Sequence, residues 1–309
     1  MTAIRVGTRG SPLALRQAEL VVAGLRALGP GRPVEVVPIK TSGDRLAQVT
    51  LADFGGKGLF VKEIEEALLE GRVDLAVHSL KDLPAELPAG LCLAAYLPRE
   101  NPQDVLVSTH GGGVADLPAG AVVGTSSLRR RVQLLAGRPD LTIEPIRGNL
   151  DTRLRKLSEG AYDAIVLAMA GLRRLGLSPA GAHPLAPDEF IPAVGQGVLV
   201  AEARASDRLL LDLVRGLDHT ETRWEAVAER AFLRQLGASC FTPVAAHGRL
   251  VDGALTLAGL VASLDGQRGL RATVSGPPEG APVLGQKLAD ELKAKGAAEI
   301  LTDVERERG

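Results

Sequence analysis

The residues best suited to chemistry lie in the run GTSSLRRR at positions 124–131. An apolar stretch precedes this run and an apolar-periodic segment follows it, which predicts a strand, a tight turn and the start of a helix. Thr125, Ser126 or Ser127 is the predicted N-cap residue. A helix N-terminus favours anions, so the positive charges of the first-turn arginines are unfavourable there. A strongly negative ligand bound at this turn would compensate them. An exposed basic turn is the alternative interpretation.

Two further turns between a predicted strand and a predicted helix carry basic or hydroxyl groups. Arg9 and Ser11 lie in the first of them, and Arg147 and Gly148 lie in the second, with Arg153 in the helix that follows. The forked guanidinium of arginine suits carboxylates and phosphates. Three such turns in two adjacent domains favour an anion-binding function more strongly than any single turn does.

The segment HSLKDLP at 78–84 ends a predicted buried strand with a polar cluster. Open α/β sheets bind ligands at the carboxyl ends of their strands, so Lys81 and Asp82 are well placed to act on a ligand. The alternative is a turn before Pro84 with a solvated lysine.

The two cysteines lie in different contexts. Cys92 lies between leucines in a predicted strand and is expected in the core. Cys240 lies in a turn between a helix and a strand, where a thiol can be an attachment point or a nucleophile. A buried structural thiol is the alternative for Cys240. No Cys and His spacing indicates a metal site.

Composition excludes several classes of protein. The chain has 309 residues, a formal net charge of −1 and 45% hydrophobic residues, so a generally basic nucleic-acid binder is excluded. Aromatic residues make up 3%, too few to favour stacking on single strands. The N-terminus has no signal-peptide pattern, and no run reaches the roughly 20 apolar residues of a membrane span. We expect a soluble, cytoplasmic protein.

Short β-branched runs alternate with helical patterns, which predicts an α/β fold followed by a smaller α+β domain. We expect domain 1 at 1–98 and 198–216, domain 2 at 103–192 and domain 3 at 219–309. Two chain crossings of this kind form a hinge and place a ligand cleft between the first two domains. Residues 43–58 form a long loop, of the kind that serves as a lid or is disordered.

The pattern also predicts individual elements. A helix begins at Pro12 with Ser11 as its N-cap. Further helices are predicted at 59–70, from 127, from 150, at 219–236 and at 281–296. The predicted strands are 4–7, 34–39, 73–78, 91–95, 104–107, 121–123, 142–146, 163–168, 198–203, 243–248, 255–262 and 269–275. The strand at 198–203 has no local partner and is expected to rejoin the first sheet.

Taken together, these segments resemble the porphobilinogen deaminases (hydroxymethylbilane synthases) over nearly the whole chain. The resemblance rests on the motifs RGSPLA at 9–14, GGKGLF at 55–60, HSLKDLP at 78–84, GTSSLRR at 124–130, RGN at 147–149, TRL at 152–154, AGL at 170–172, GQG at 195–197 and the cysteine loop at 237–243. So many motifs in one order make coincidence very improbable.

The resemblance implies three domains, of which the first two are similar to the type II periplasmic-binding-protein architecture with a hinged cleft. It implies that Cys240 holds a dipyrromethane cofactor through a thioether, assembled from two substrate molecules. Four porphobilinogen molecules would then be deaminated and joined head to tail, and water would release hydroxymethylbilane, an intermediate of tetrapyrrole and haem biosynthesis. The family precedent is a monomer without a nucleic-acid, membrane or metal partner.

The resemblance also implies roles for individual residues, with Asp82 at the position of the catalytic aspartate. The positions that match cofactor-binding residues are Lys81, Ser127, Arg129, Arg130, Arg147 and Gly148. Those that match substrate-binding residues are Arg9, Ser11, Thr125, Arg153, Arg174 and Gln196. One departure concerns Ala238-Ser239, where the family usually has paired glycines. Because glycine tolerates a positive φ, the shape of this loop is in question.

Two other functions would explain some of these sequence features. A non-enzymatic, carboxylate-binding two-domain solute-binding protein would explain the cleft, but it explains neither Cys240 nor the third domain. A phosphate-backbone nucleic-acid binder would use the arginines, but it conflicts with the near-neutral charge and the few aromatic residues.

Overall fold

The computed structural model describes residues 2–45, 61–239 and 241–308. Its strands are β1 (Ile4–Arg9), β2 (Val34–Ile39), β3 (Leu75–Ser79), β4 (Leu91–Tyr96), β5 (Asp104–Ser108), β6 (Val122–Gly124), β7 (Thr142–Glu144), β8 (Ala164–Ala168), β9 (Ala182–Leu185), β10 (Leu199–Arg204), β11 (Val244–Val251), β12 (Ala254–Ala262) and β13 (Gly269–Gly276). Its helices are α1 (Pro12–Ala27), α2 (Ser42–Arg45), α3 (Lys62–Leu69), α4 (Leu128–Gly137), α5 (Leu150–Ser158), α6 (Met169–Arg174), α7 (Arg208–Val214), α8 (Thr220–Leu236), α9 (Ala281–Ala294) and α10 (Ala297–Arg308).

The chain divides into two compact units. Unit 1 comprises Met1–Glu100 and Gly197–Arg223, and unit 2 comprises Asn101–Gln196 and Trp224–Gly309. The predicted three-domain boundaries and the predicted hinged cleft stay predictions. Among the described residues, none of the helices combines the length and the apolar composition that a membrane span requires.

Local sequence rules explain how the first helix of unit 1 begins. The Ser11 hydroxyl accepts a hydrogen bond from the Ala14 backbone amide at 3.3 Å, and Pro12 occupies the first helical position. The apolar stripe of α1, which includes Val21 and Leu25, is buried against the sheet. The predicted cap of this helix is therefore confirmed.

The sheet of unit 1 has the strand order β2-β1-β3-β10-β4. Strand β1 runs parallel to β2 and β3, whereas β10 runs antiparallel to both β3 and β4. A strand from late in the chain therefore rejoins the first sheet, as predicted for residues 198–203.

The first sheet of unit 2 repeats this topology in the order β7-β6-β8-β5-β9, with β5 as the antiparallel strand. In both sheets the order is second, first and third parallel strand, then the antiparallel strand, then the fourth. This order is that of the type II periplasmic-binding-protein architecture, so the predicted α/β fold is confirmed.

A separate antiparallel sheet, β11-β12-β13, lies in unit 2 with α9, α10 and the part of α8 that begins at Trp224. Its inner side chains share a core with Val132 of α4 and with Ile191, which attaches it to the rest of the unit. Gly285 of α9 packs so closely on α8 that a Cβ at this position would lie 2.2 Å from the Ala228 carbonyl oxygen. These elements form the predicted smaller α+β domain.

Several elements escaped prediction. Strand β9 contains Pro184, has mostly exposed side chains and lies at a sheet edge, so it lacks the alternating pattern of a half-buried strand. The helices α6, α7 and α10 were not predicted either. The predicted loop at 43–58 is wrong at its start, because Ser42–Arg45 is a helical turn. The rest of that loop, with the predicted lid, lies outside the described residues.

Candidate functional site

The carboxyl edge of the parallel strands in unit 1 carries polar residues from two turns. Arg9 ends β1 and Ser11 follows it, and a 3-10 turn of Leu80–Asp82 directly follows β3. Because β1 and β3 are parallel neighbours, the two turns lie at the same edge of the sheet.

These turns line a common cavity. Arg9, Ser11 and Asp82 line it, together with His78 and Ser79 from the end of β3. Asp82 is exposed, so its carboxylate is accessible to a ligand. The structure therefore brings together three residues that the sequence singled out, while the half-buried Lys81 lies beside Asp82 in the same turn.

The turn before α4 in unit 2 is built by hydroxyl groups. The N-cap is Ser127, whose hydroxyl accepts a hydrogen bond from the Arg130 backbone amide at 3.4 Å. The buried Thr125 hydroxyl accepts one from the Ser127 amide at 3.2 Å. Ser126 donates its hydroxyl hydrogen to the Ile146 carbonyl at 2.8 Å, which joins this turn to the turn after β7.

The turn after β7 depends on glycine. Gly148 has φ of +107°, and a Cβ on it would lie 2.7 Å from the Thr152 side chain. Asn149 caps α5 by accepting a hydrogen bond from the Thr152 amide at 3.0 Å. The half-buried Arg153 donates from Nε to the Gly148 carbonyl at 2.9 Å, and Arg147 is half-buried in the same turn. This second predicted turn therefore lies beside the N-terminus of α4.

A buried ion cluster anchors two of the arginines in α4. Arg129 Nη1 lies 2.6 Å from Asp104 Oδ2, and Arg130 approaches Oδ1 through Nε at 3.0 Å and Nη2 at 2.7 Å. Asp104 has no exposed surface. Burial alone would raise the pKa of this carboxyl group, but the two guanidinium charges hold it well below its usual range.

This cluster corrects the argument that the first-turn arginines of α4 need an external anion. The chain itself supplies a negative partner for Arg129 and Arg130, while Arg131 is exposed. One donor remains: the buried Nε of Arg129 has no hydrogen-bond partner among the described residues. The predicted cofactor contact of Arg129 is therefore compatible with its role toward Asp104.

Gln196 was predicted to bind substrate, but its side chain is buried and contacts other residues of unit 2. Its side chain is 1% exposed and donates to the Pro102 carbonyl at 2.6 Å and to Asp104 Oδ1 at 3.0 Å. The amide therefore supports the buried carboxylate. Arg174 is half-buried at the end of α6. In the sequence it is distant from the turns that precede α4 and α5.

Cys240 lies outside the described residues, whereas the residues on either side of it are described. Thr242 donates both its hydroxyl hydrogen, at 2.6 Å, and its amide hydrogen, at 3.1 Å, to the Ser239 carbonyl. Neither Ala238 nor Ser239 has a positive φ. The departure from paired glycines therefore causes no backbone strain at these two positions.

Comparison with known proteins identifies the relatives of this chain. Residues 4–212 match the family described as "Porphobilinogen deaminase, dipyromethane cofactor binding domain", and residues 224–294 match "Porphobilinogen deaminase, C-terminal domain". The chain belongs to the porphobilinogen deaminase family. The family membership supports the enzyme and not the solute-binding alternative.

Individual relatives cover nearly the full chain. The porphobilinogen deaminase of Nitratidesulfovibrio vulgaris is 52% identical, with 98% of each chain covered. That of Syntrophobacter fumaroxidans is 50% identical with 98% of each covered, and that of Desulforudis audaxviator is 53% identical with 97% of each covered.

The donors of unit 2 fit a group that bears several carboxylates. They comprise the N-termini of α4 and α5, the hydroxyl groups of their turns and the Nε of Arg129, for which the described part of the chain offers no hydrogen-bond partner. No cluster of metal-ligating side chains occurs in the part of the chain that the structure describes. Asp104 was not singled out from the sequence, and Gln196 was predicted to bind substrate rather than Asp104, because nothing near either residue indicates its distant partners.

We predict that Asp104→Asn destabilises the fold by about 3–5 kcal/mol, because it leaves two buried guanidinium groups without their carboxylate. The measurement is the free energy of unfolding from urea titration at neutral pH. In the wild type this contribution is present above the ordinary carboxyl pKa and is lost as the pH falls toward the depressed value.

The matched control is Glu159→Gln, which breaks an exposed pair with Arg155 in the same unit. We expect a loss below about 1 kcal/mol for this control. Equal losses for the two variants would contradict the assignment of Asp104 as the central anion of unit 2.

Proposed function

We propose that this chain polymerises four porphobilinogen molecules head to tail, with loss of ammonia, on a dipyrromethane primer attached to Cys240. Hydrolysis then releases hydroxymethylbilane for tetrapyrrole and haem biosynthesis. The observation that carries the proposal is the exposed Asp82 carboxylate on a cavity shared with Arg9 and Ser11, in a chain of the porphobilinogen deaminase family.

Asp82 is the proposed catalytic residue. Loss of ammonia from the aminomethyl group of porphobilinogen leaves a cationic azafulvene, in which the pyrrole nitrogen carries positive charge. A fixed carboxylate near that nitrogen stabilises the developing charge. Asp82 suits this role because its backbone is held in the 3-10 turn that follows β3, while its side chain stays exposed on the cavity.

The acetate and propionate groups of the substrate require cationic and hydroxyl donors. We assign these contacts to Arg9, Ser11, Thr125, Arg153 and Arg174. Arg9 and Ser11 are supported by their position on the same cavity as Asp82. Thr125 and Arg153 are supported by their places in the adjoining turns of unit 2.

The primer is assigned to Cys240 as a thioether, a linkage that resists hydrolysis and therefore survives each turnover. When bound, the dipyrromethane group supplies the pyrrole carbon that attacks the activated substrate. Its carboxylates would be held by Lys81, Ser127, Arg129, Arg130, Arg147 and Gly148. Backbone amides at the N-termini of α4 and α5 add neutral donors to these cations.

We infer a cytoplasmic monomer that acts on a small molecule, with neither nucleic acid nor a membrane as partner. The near-neutral net charge of −1 supports the absence of a nucleic-acid partner.

We predict that purified wild-type protein has an intact mass above that of the chain by two linked pyrrole units, and that Cys240→Ser lacks this excess. The control is Cys92→Ser, which changes the other cysteine, half-buried in β4, and keeps the adduct. A fully active wild type with the unmodified mass would refute the covalent primer.

We predict that Asp82→Asn keeps the adduct but lowers kcat for porphobilinogen consumption by about 10²–10³-fold, because the amide lacks the charge that stabilises the cation. Glu86→Gln, an exposed acid in the following loop, is the control and retains its rate. A near-normal rate in Asp82→Asn would remove Asp82 from the catalytic role.

A further inference from the structure

Three buried ionisable side chains lie behind the Asp82 cavity, and the proposed reaction uses none of them. They are His78 of β3, Glu202 of β10 and Glu65 of α3, which are 5%, 0% and 7% exposed. His78 also lines the cavity that Asp82 shares with Arg9 and Ser11. The cluster therefore reaches from the core of unit 1 to the edge of the candidate site.

The geometry of the cluster is set by strand register. Val200 pairs with His78 across the antiparallel strands, so Glu202, two residues along β10, lies on the same face of the sheet. His78 Nε2 lies 3.0 Å from Glu202 Oε2. The two atoms are not aligned as a hydrogen bond, and neither Glu202 oxygen has a hydrogen-bond partner among the described residues. The two side chains are therefore in close contact without a hydrogen bond between them.

The same strand pairing leads directly to Asp82. After His78, Ser79 still pairs with Leu199, and the Leu80 amide donates to the Val198 carbonyl at 3.0 Å. The next two residues of the 3-10 turn are Lys81 and Asp82. Any change that shifts His78 against β10 therefore shifts the strand end that presents Asp82.

We propose that Glu202 is a positioning residue for this reaction: through the His78 imidazole it fixes the end of β3 that presents Asp82. This inference rests on the proposed function. Glu202 touches no reacting atom and acts through His78.

The charges around Glu65 and Glu202 come from several elements. Those that face or flank the cluster are Glu66 of α3, His78 of β3, Cys92 of β4, Arg204 of β10, and Arg9 and Asp82 on the cavity side. Arg204 donates to the carbonyls of Leu68 and Val73 and lies 3.4 Å from Asp74, so its charge has other partners. Burial and the charge of Glu202 raise the pKa of Cys92. Among these groups His78 makes the close contact with Glu202.

The cluster has a consequence for the pH dependence of turnover. Burial, and then the charge of Glu202, raise the pKa of Glu65 to about 7. Below that pH Glu65 is protonated and carries no charge. As the pH rises through 7, Glu65 ionises and places a negative charge near His78 and Glu202. Turnover is therefore expected to fall on the alkaline side of pH 7.

The first test compares kcat from pH 5.5 to 9 for wild-type holoenzyme and Glu65→Gln, with porphobilinogen as the substrate. The glutamine cannot ionise, so we expect the alkaline fall in kcat to shift upward by at least one pH unit. The control is Glu66→Gln, which removes an exposed carboxylate from the same helix and should keep the wild-type profile. An alkaline fall at the same pH in Glu65→Gln and wild type would overturn the proposal.

The second test is Glu202→Gln at pH 6.5. We expect kcat to fall about tenfold or more, with KM within threefold of wild type and the pyrrole adduct intact by mass, because only the placement of Asp82 changes. A wild-type kcat in this variant would overturn the proposal. If Glu202→Gln yields no folded holoenzyme, the Glu65→Gln profile decides alone. A wild type that consumes no porphobilinogen would instead refute the proposed function.

Discussion

A single buried carboxylate holds the basic part of unit 2 together. Asp104 begins β5, pairs with Arg129 and Arg130 of α4 and accepts a hydrogen bond from Gln196. The two guanidinium groups also donate to the carbonyls of Val166 and Ile191, so the cluster ties a helix to two strands and to the returning chain. Because a buried charge without a partner is very unfavourable, these arginines have one stable arrangement.

The two units share one sheet topology, but the charged residues at the corresponding sheet edges differ in sign. In both sheets the parallel strands end at an edge where hydroxyl and basic residues begin the next element. In unit 2 the basic groups dominate that edge, and the acid that balances them is buried. In unit 1 the acid Asp82 is exposed, and a second acidic group, Glu202, lies buried behind it against His78.

The structural features that depend on neighbouring residues could be predicted from the sequence. The caps at Ser11 and Ser127 follow local rules, and most strands appear as apolar runs, so the α/β fold was predictable. The contacts that organise the site are not local. Arg129 meets Asp104 from 25 residues away and Gln196 meets it from 92, and His78 meets Glu202 only because β10 returns to the first sheet. Residue types and spacing carry no signal of such pairings, which is why the arginines were expected to need an external anion.

In the proposed reaction, the product grows one unit at a time on a primer that remains attached to the chain. The most direct measurement is the intact mass of wild-type protein after brief incubation with a limiting amount of porphobilinogen. We expect a ladder of species above the primed mass, each heavier by one deaminated substrate unit, which returns to the primed mass only when further porphobilinogen completes the fourth addition and the product is released. Turnover to hydroxymethylbilane with no covalent species above the chain mass would contradict it.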